Sequence, residues 1–157
     1  MGKIQLKYAS LDDLPYLEPL ISQELKETNQ NYNREKTTAF LKDAIKRSFS
    51  NIILIYEQHL IGASLCEIKH QFWANQENGT IEWFYILPQY RNYYNAKKLL
   101  QASEDWLKNF NIKWIETDVW HLDKYLQCDN NFIERYKKWS LMNKYKINGY
   151  KLYKVIA

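Results

Sequence analysis

A change of hydrophobic period at Pro88 is the feature that most constrains how this chain folds. Residues 80–87 read as a strand, and Pro88 ends it because proline cannot donate to a sheet ladder. From about residue 93 to residue 109 the spacing becomes that of one helical face. That face carries Ala96, Leu99, Leu100, Ser103, Leu107 and Phe110. A strand followed by an amphipathic helix predicts an α/β arrangement.

The rest of the chain extends this pattern to the order β-α-α-β-β-β-α-β-α-β, with a further strand in the tail. Other strands are predicted at residues 4–8, 51–56, 60–72, 112–120 and within 141–156. Other helices are predicted after Ser10, over residues 35–48 and around residues 132–139. Asn78-Gly79 is the strongest hairpin-turn signal, and Asn148-Gly149 marks a final turn. We expect one α/β domain over residues 1–157 with a mixed sheet.

Composition limits the class of protein and its partners. The chain has 157 residues, of which 46% are apolar and 25% charged, so it is long enough for one domain with a buried core. Its formal net charge of +4 permits an anionic ligand but does not require nucleic acid. Cys66 and Cys128 alone make neither a disulfide framework nor a four-ligand zinc site. We therefore expect reduced cysteines and no metal.

No segment of the sequence reads as a targeting signal or a membrane anchor. Residues 1–6 lack the apolar run of a signal peptide. Leu6 stands where a myristoylation signal has Ser or Thr. The longest apolar run is too short to span a bilayer. We expect a cytoplasmic protein that does not bind a membrane.

Two stretches of the sequence carry a family resemblance. Residues 81–91 read I-E-W-F-Y-I-L-P-Q-Y-R and lead into a helix that contains A-K-K-L-L at residues 96–100. Residues 132–141 read F-I-E-R-Y-K-K-W-S-L. Both stretches resemble motifs of the GNAT superfamily of N-acetyltransferases, and the element order is similar over nearly the whole chain. The resemblance implies a mixed, mostly antiparallel sheet of six to seven strands flanked by about four helices, with acetyl-CoA as the donor.

The resemblance also places the donor's coenzyme A. A helix N-terminus presents unpaired backbone N–H groups and a partial positive charge, which suit a pyrophosphate. In the family a glycine-rich loop forms this seat. Its counterpart here, which we call the donor loop, is Arg91, Asn92, Tyr93, Tyr94, Asn95 and Ala96. Tyr94 and Asn92 stand where the family often has glycine. The loop therefore either binds coenzyme A with altered geometry, takes another donor, or has lost binding. The pantetheine arm would pair with the strand at Phe84, Tyr85 and Ile86.

Two residues are implied for proton transfer. Glu82 matches the acidic residue that serves many family members as general base, usually through water. Tyr136 matches the tyrosine that protonates the leaving thiolate, and a phenol with pKa about 10 can donate to a thiolate with pKa about 8.5. The alternatives are a strand Glu82 paired with a neighbouring lysine and a core Tyr136. Glu67 is a second acidic candidate.

Two further features have competing explanations. Residues 121–131 form a longer connection than the family pattern has, and we expect them to shape an acceptor pocket. The segment holds His121, Asp123 and Cys128, and the alternative is that its Cys–His pair forms a nucleophile or a metal ligand. The aromatic residues near the expected site either pack in the core or stack on a flat substrate. These residues are Trp73, Trp83, Phe84, Tyr85, Tyr90, Tyr93 and Tyr94.

Three functions follow from these observations. The first is an N-acetyltransferase in which a primary amine attacks acetyl-CoA directly in a ternary complex. Its acceptor would be a small-molecule or peptide amine, and a homodimer would match the dimers common in the family. The second is a GNAT-like domain whose donor site has degenerated and which now binds a partner or regulates it. The third is a transferase with another donor or a nucleic-acid acceptor, which the net charge and aromatic residues permit.

Overall fold

The helices and strands that the structure describes follow one another in the predicted order. The computed structural model describes residues 3–70, 77–110, 112, 114–118, 146–148 and 151–155. The strands are β1 Gln5–Tyr8, β2 Ser50–Tyr56, β3 Leu60–His70, β4 Glu77–Ile86, β5 Trp114–Asp118, β6 Lys146–Asn148 and β7 Lys151–Val155. The α-helices are α1 Leu14–Glu27, α2 Arg34–Lys46 and α3 Tyr93–Lys108, and short 3-10 turns occupy Leu11–Asp13 and Pro88–Tyr90.

The seven strands form one sheet in the order β1-β2-β3-β4-β5-β7-β6. Every neighbouring pair is antiparallel except β4 and β5, which run parallel. This arrangement confirms the predicted mixed, mostly antiparallel sheet. The helix predicted around residues 132–139 lies outside the described residues. Whether residues 1–157 are one domain stays a prediction.

The sheet has a helical layer on each face. Leu17 and Leu41, from α1 and α2, are fully buried against one face. Leu99 and Leu107, from α3, are fully buried against the other. Burying such a side chain contributes about 1.5–3 kcal/mol relative to leaving it exposed, so both layers are held by apolar packing. β4 therefore has the layer of α1 and α2 on one face and α3 on the other face.

The prediction of a hairpin turn at Asn78-Gly79 is wrong. Both residues lie inside β4, where Asn78 pairs with Lys69 and Gly79 pairs with Ile68. A Cβ at Gly79 would lie 2.4 Å from Cδ1 of Ile112. The glycine therefore admits a close neighbour of the sheet instead of forming a turn, and β4 begins at Glu77 instead of residue 80.

The final turn predicted at Asn148-Gly149 falls at the junction of β6 and β7. These strands are antiparallel, and Asn148 is opposite Lys151. Gly149 itself lies outside the described residues. Among the helices that the structure describes, none has both the length and the apolar composition needed to cross a bilayer.

Candidate active site

A β-bulge in β4 sets the position of Glu82. Leu65 of β3 is opposite Trp83, and the next residue, Cys66, is opposite Ile81. Glu82 is thus the extra residue, with no opposite partner in β3. Bulges bend a strand and re-aim its side chains, and they are frequent next to active sites. Sequence reasoning identified Glu82 as a candidate but had no signal for the bulge.

The Glu82 carboxylate forms an ion pair with the Lys69 ammonium of β3. This is the strand pairing that the sequence left as one alternative for Glu82. The two side chains are 26% and 49% exposed. Because ion pairs open to water are worth about 0–1 kcal/mol, Glu82 can exchange Lys69 for another partner at little cost. The pairing is therefore compatible with both explanations of Glu82.

Glu67, the second acidic candidate, is held by a different element. Its Oε1 lies 3.3 Å from Nη2 of Arg47, the residue that caps the C-terminus of α2. Arg47 also contacts Asp43 at 2.9 Å. In the sheet, Glu67 is opposite Thr80. The carboxylate thus links α2 to the sheet, which favours a structural role.

Beyond the bulge, β4 continues past the residues that pair with β5. The β4–β5 pairing runs from Gly79 opposite Ile115 to Ile81 opposite Thr117. Residues 83–86 stay paired with β3, and no strand pairs with the other edge of residues 82–86 in the described part of the chain. Backbone groups there are the ones assigned by resemblance to a pantetheine arm. Those residues include Phe84, Tyr85 and Ile86.

The donor loop folds without glycine. Asn92 is the N-cap of α3, and its Oδ1 accepts from the Asn95 N–H at 2.9 Å. Asn92 has an extended backbone with φ −144°, and Tyr94 lies in the first turn of α3. Among the described non-glycine residues, only Asn29 has a positive φ. The residues that stand in place of the family's glycines therefore cause no backbone strain, and Tyr94 fits the conformation of the loop.

Asparagine side chains occupy part of this turn. Asn95 is buried, and its Nδ2 donates to the Tyr90 carbonyl at 2.9 Å. The Ala96 N–H donates to the Asn92 carbonyl. Since the first turn of a helix lacks intrahelical acceptors, Tyr93 and Tyr94 keep N–H groups that can face a ligand. The loop thus resembles an anion seat that is partly capped by its own side chains.

Two exposed aromatic rings flank this helix start. Tyr93 is 44% exposed and Tyr94 is 54% exposed. The Lys97 ammonium lies 5.7 Å from the Tyr93 ring centroid, and Lys98 lies 5.2 Å from that of Tyr94. Each ring therefore lies beside a lysine one turn further along α3. The arrangement places aromatic surface and positive charge at a helix end that already favours anions.

Arg91 connects the donor loop to α1. Its Nε donates to the Ile86 carbonyl at 2.8 Å, and its Nη2 donates to Oε2 of Glu27 at 2.7 Å. The Tyr85 hydroxyl donates to Oε1 of the same Glu27 at 2.5 Å. Burial, and then the hydrogen bond to Glu27, raise the pKa of Tyr85 above its ordinary value. Nothing in the sequence singled out Glu27, so sequence reasoning missed this role.

Glu24, one turn earlier in α1, accepts a hydrogen bond from the Trp83 indole. Trp83 and Tyr85 thus both face α1, whereas Phe84 between them packs in the core beside α3. The aromatic residues of β4 are therefore divided between two faces and do not form one stacking surface. This division favours the core-packing explanation for these residues.

Several predicted residues lie outside the described residues. They are Tyr136, His121, Asp123, Cys128 and Trp73, together with the second motif at residues 132–141. Cys66 is buried beside Ser64 and Ser103, and burial raises the pKa of its thiol to about 12, against smaller opposing effects of hydrogen bonds from the two serines. In the described part of the chain, no three His, Cys, Asp or Glu side chains cluster as metal ligands would.

Comparisons with known proteins agree with the fold. The family model described as "Acetyltransferase (GNAT) family" matches residues 17–124. This range begins within α1 and includes both strands of the bulge and the donor loop. No curated protein sequence matches the chain at a significant level.

Solved acetyltransferase structures superpose on the model. The PaiA N-acetyltransferase from Thermoplasma acidophilum, in complex with coenzyme A, is 21% identical with a TM-score of 0.70, covering 98% of this chain and 99% of that one. Aminoglycoside N-acetyltransferase AAC(6')-Iy, in complex with CoA, is 16% identical with a TM-score of 0.70, covering 90% and 88%. An aminoglycoside acetyltransferase from an uncultured soil metagenomic sample, in complex with sisomicin, is 12% identical with a TM-score of 0.63, covering 84% and 86%. At these identities the likeness establishes the fold alone.

Proposed function

The chain belongs to the GNAT family of acetyltransferases, and from this premise we propose that it transfers an acetyl group from acetyl-CoA to a primary amine. The observation that carries the proposal is the course of β4. Within the described residues its parallel pairing with β5 reaches Ile81, and no strand pairs with the same edge beyond that point; the strand then leads within six residues to the N-terminus of α3. An extended backbone edge followed by an anion-favouring helix end suits a long thioester that carries phosphates.

The donor's diphosphate would lie at the first turn of α3. The N–H groups of Tyr93 and Tyr94 would donate to it, and the lysines one turn further on would supply positive charge. The exposed ring of Tyr94 stands in place of the family's glycine and would border the ligand. The pantetheine arm would extend along Phe84 and Ile86 toward the bulge.

The chemistry follows from the balance of protons. A bound amine arrives protonated and must lose a proton before its nitrogen attacks the thioester carbonyl. Glu82 would accept that proton through water, and a backbone N–H on the edge of β4 would stabilise the oxyanion. A C–N bond then forms, the nitrogen loses a second proton to solvent, the C–S bond breaks, and the thiolate takes a proton. Tyr136, outside the described residues, would donate that proton.

The acceptor would be a small-molecule or peptide amine. Two of the similar structures are aminoglycoside acetyltransferases, and one was solved with sisomicin. Polyamino compounds therefore belong in the first set of acceptors to test. Peptides with a free amino terminus and lysine peptides belong in the same set. The family also contains dimers, so a homodimer is part of the proposal.

A second candidate function is a binding or regulatory domain without catalysis. The observation that favours it is the donor loop's internal hydrogen bonding, because Oδ1 of Asn92 already accepts from the Asn95 N–H that a phosphate would otherwise contact. In that case the domain keeps the family fold but lacks affinity for the donor. The two functions differ in one measurable property, which is coenzyme A binding.

Calorimetric titration with acetyl-CoA and with free coenzyme A tests the proposal. We expect micromolar binding, followed by acetylation of at least one amine in the acceptor set, detected by free thiol release and by mass. Absence of heat and of thermal stabilisation at millimolar donor would refute the transferase and favour the binding domain. Salt-sensitive binding to RNA or DNA without donor binding would instead favour the nucleic-acid hypothesis.

A further inference from the structure

We propose that Glu27 is a positioning residue for the donor loop, which it holds in place through Arg91. This inference rests on the proposed function, because it assigns a purpose to the loop's position. Glu27 is the last residue of α1 and lies 64 residues from Arg91 in sequence. No motif of the sequence includes it. Its role follows only from the contacts that the fold creates.

Both carboxylate oxygens of Glu27 are engaged by groups from different elements. Oε1 accepts from the Tyr85 hydroxyl of β4 at 2.5 Å, and Oε2 accepts from Nη2 of Arg91 at 2.7 Å. The Arg91 guanidinium also lies 5.3 Å from the centroid of the Tyr85 ring. The side chains of Glu27, Tyr85 and Arg91 thus each contact the other two. Such networks hold their members more firmly than isolated surface pairs do.

Arg91 carries this restraint into the chain that leads to α3. Its Nε donates to the carbonyl of Ile86, the last residue of β4, so the side chain closes the turn between strand and helix. The next residue, Asn92, is the N-cap of α3. Since α1 and α3 lie on opposite faces of the sheet, Glu27 and Arg91 join the two helical layers around the end of β4.

The position of that turn matters because the pantetheine arm of the donor can span only a limited distance. The diphosphate and the thioester are joined by the pantetheine arm, so a shift of the helix end relative to β4 moves the reacting carbon. A misplacement of about 1 Å can reduce rate about a hundredfold. Two of the hydrogen bonds of Arg91 are directed to the protein itself. Its contribution is therefore to place the backbone donors of Tyr93 and Tyr94.

The experiment compares Glu27→Gln, Arg91→Gln and the double variant with Glu18→Gln. Glu18 is a matched control because it also lies in α1 and also accepts from an arginine and a hydroxyl. These are Arg34 Nε at 3.0 Å and Thr38 Oγ1 at 2.6 Å. The partners of Glu18 lie on α2, away from the donor loop. Glu27→Gln and Glu18→Gln each remove a similar ion pair from α1. A difference between these two variants therefore reports the positioning of the donor loop and not a general loss of stability.

The first measurement is hydrogen–deuterium exchange of residues 87–96 in the ligand-free protein. We expect this segment to exchange at least several-fold faster in Glu27→Gln and Arg91→Gln and at an unchanged rate in Glu18→Gln. Unchanged exchange in Glu27→Gln would overturn the inference. This measurement does not require the donor, so it remains valid if the unaltered protein binds no acetyl-CoA and the proposed function fails.

The second measurement is the Kd for acetyl-CoA. We expect each single variant to bind about 5- to 20-fold more weakly, as loss of one charge-assisted hydrogen bond allows. The double variant should bind no more weakly than the weaker single variant, because both changes break one linkage. If the two effects multiply, Glu27 acts independently of Arg91 and the inference is wrong. Binding by Glu27→Gln equal to that of the unaltered protein would also overturn it.

Discussion

Replacement of Gly62 by alanine should destabilise the protein through a clash with the backbone of β4. Gly62 lies in β3 opposite Ile86, at the end of β4 that leads to the donor loop. A Cβ at this position would stand 2.6 Å from the Tyr85 carbonyl oxygen and 3.1 Å from Cγ2 of Ile55. The first distance is about 0.8 Å inside the ordinary contact limit of 3.4 Å. Because the obstacle is a main-chain atom, no rotamer change relieves it.

The magnitude follows from two opposing effects. Overpacking of this kind typically costs about 1–3 kcal/mol. Alanine also reduces the conformational entropy of the unfolded chain, which returns about 0.4–1 kcal/mol. From the mid-range values we expect a net loss of about 1.3 kcal/mol in the free energy of unfolding. For a chain of this size, that corresponds to a fall in Tm of roughly 3–5 °C.

Urea denaturation followed by tryptophan fluorescence measures the loss, and Gly79→Ala is the matched comparison. At Gly79 the nearest atoms are ends of side chains, Cδ1 of Ile112 at 2.4 Å and Cδ2 of Leu107 at 3.0 Å. Those ends can rotate away, so Gly79→Ala should cost less than Gly62→Ala. If Gly62→Ala is as stable as the unaltered protein, or if the order is reversed, the reasoning from backbone contact is refuted.

Three further predictions concern polar groups near the site. Glu82→Gln should lower kcat on a confirmed amine about 10²- to 10⁴-fold with little change in Kd for acetyl-CoA. The control Glu77→Gln, in the same strand and paired with exposed His70, should have the kcat of the unaltered protein. If the two variants have equal kcat, Glu82 is not the general base. Ser103→Ala should cost about 1–3 kcal/mol in urea denaturation, since its hydroxyl lies 2.7 Å from that of buried Ser64, and the double alanine variant should be no less stable than Ser103→Ala. Because burial raises the pKa of Cys66 from 9.0 to about 12, unfolding should release its proton between these pH values. The stability of the unaltered protein should then fall more steeply over that range than that of Cys66→Ala, and parallel pH profiles would contradict this.

Much of the fold could be predicted from local pattern. The strand before Pro88 and the helix from Tyr93 were predicted within one to three residues of their observed bounds, because hydrophobic period reports which face of an element is buried. The same reasoning failed at Asn78-Gly79. The dipeptide has strong turn propensity, but its glycine lies inside β4 where the side chain of Ile112 approaches the strand. Local propensity carries no information about that distant neighbour.

The candidate site divides in a similar way. The sequence identified Glu82 and the donor loop, since both lie in one continuous motif that leads from a strand into a helix. It could not show that Asn92 caps α3 with its own side chain or that the loop needs no positive φ. Those facts depend on the backbone path that follows Pro88. The proton donor Tyr136 stays a prediction.

What the sequence determined by itself was the family, the order of elements and the residues of one local motif, because hydrophobic period and motif spacing act over a few residues. Only the tertiary structure decided which side chains meet across the sheet. The bulge that sets Glu82 apart depends on the register of β3 against β4. The contacts of Glu27 with Tyr85 and Arg91 join residues 58 and 64 positions apart. Such contacts arise when α1 packs over β4, and no pattern within a single segment encodes them.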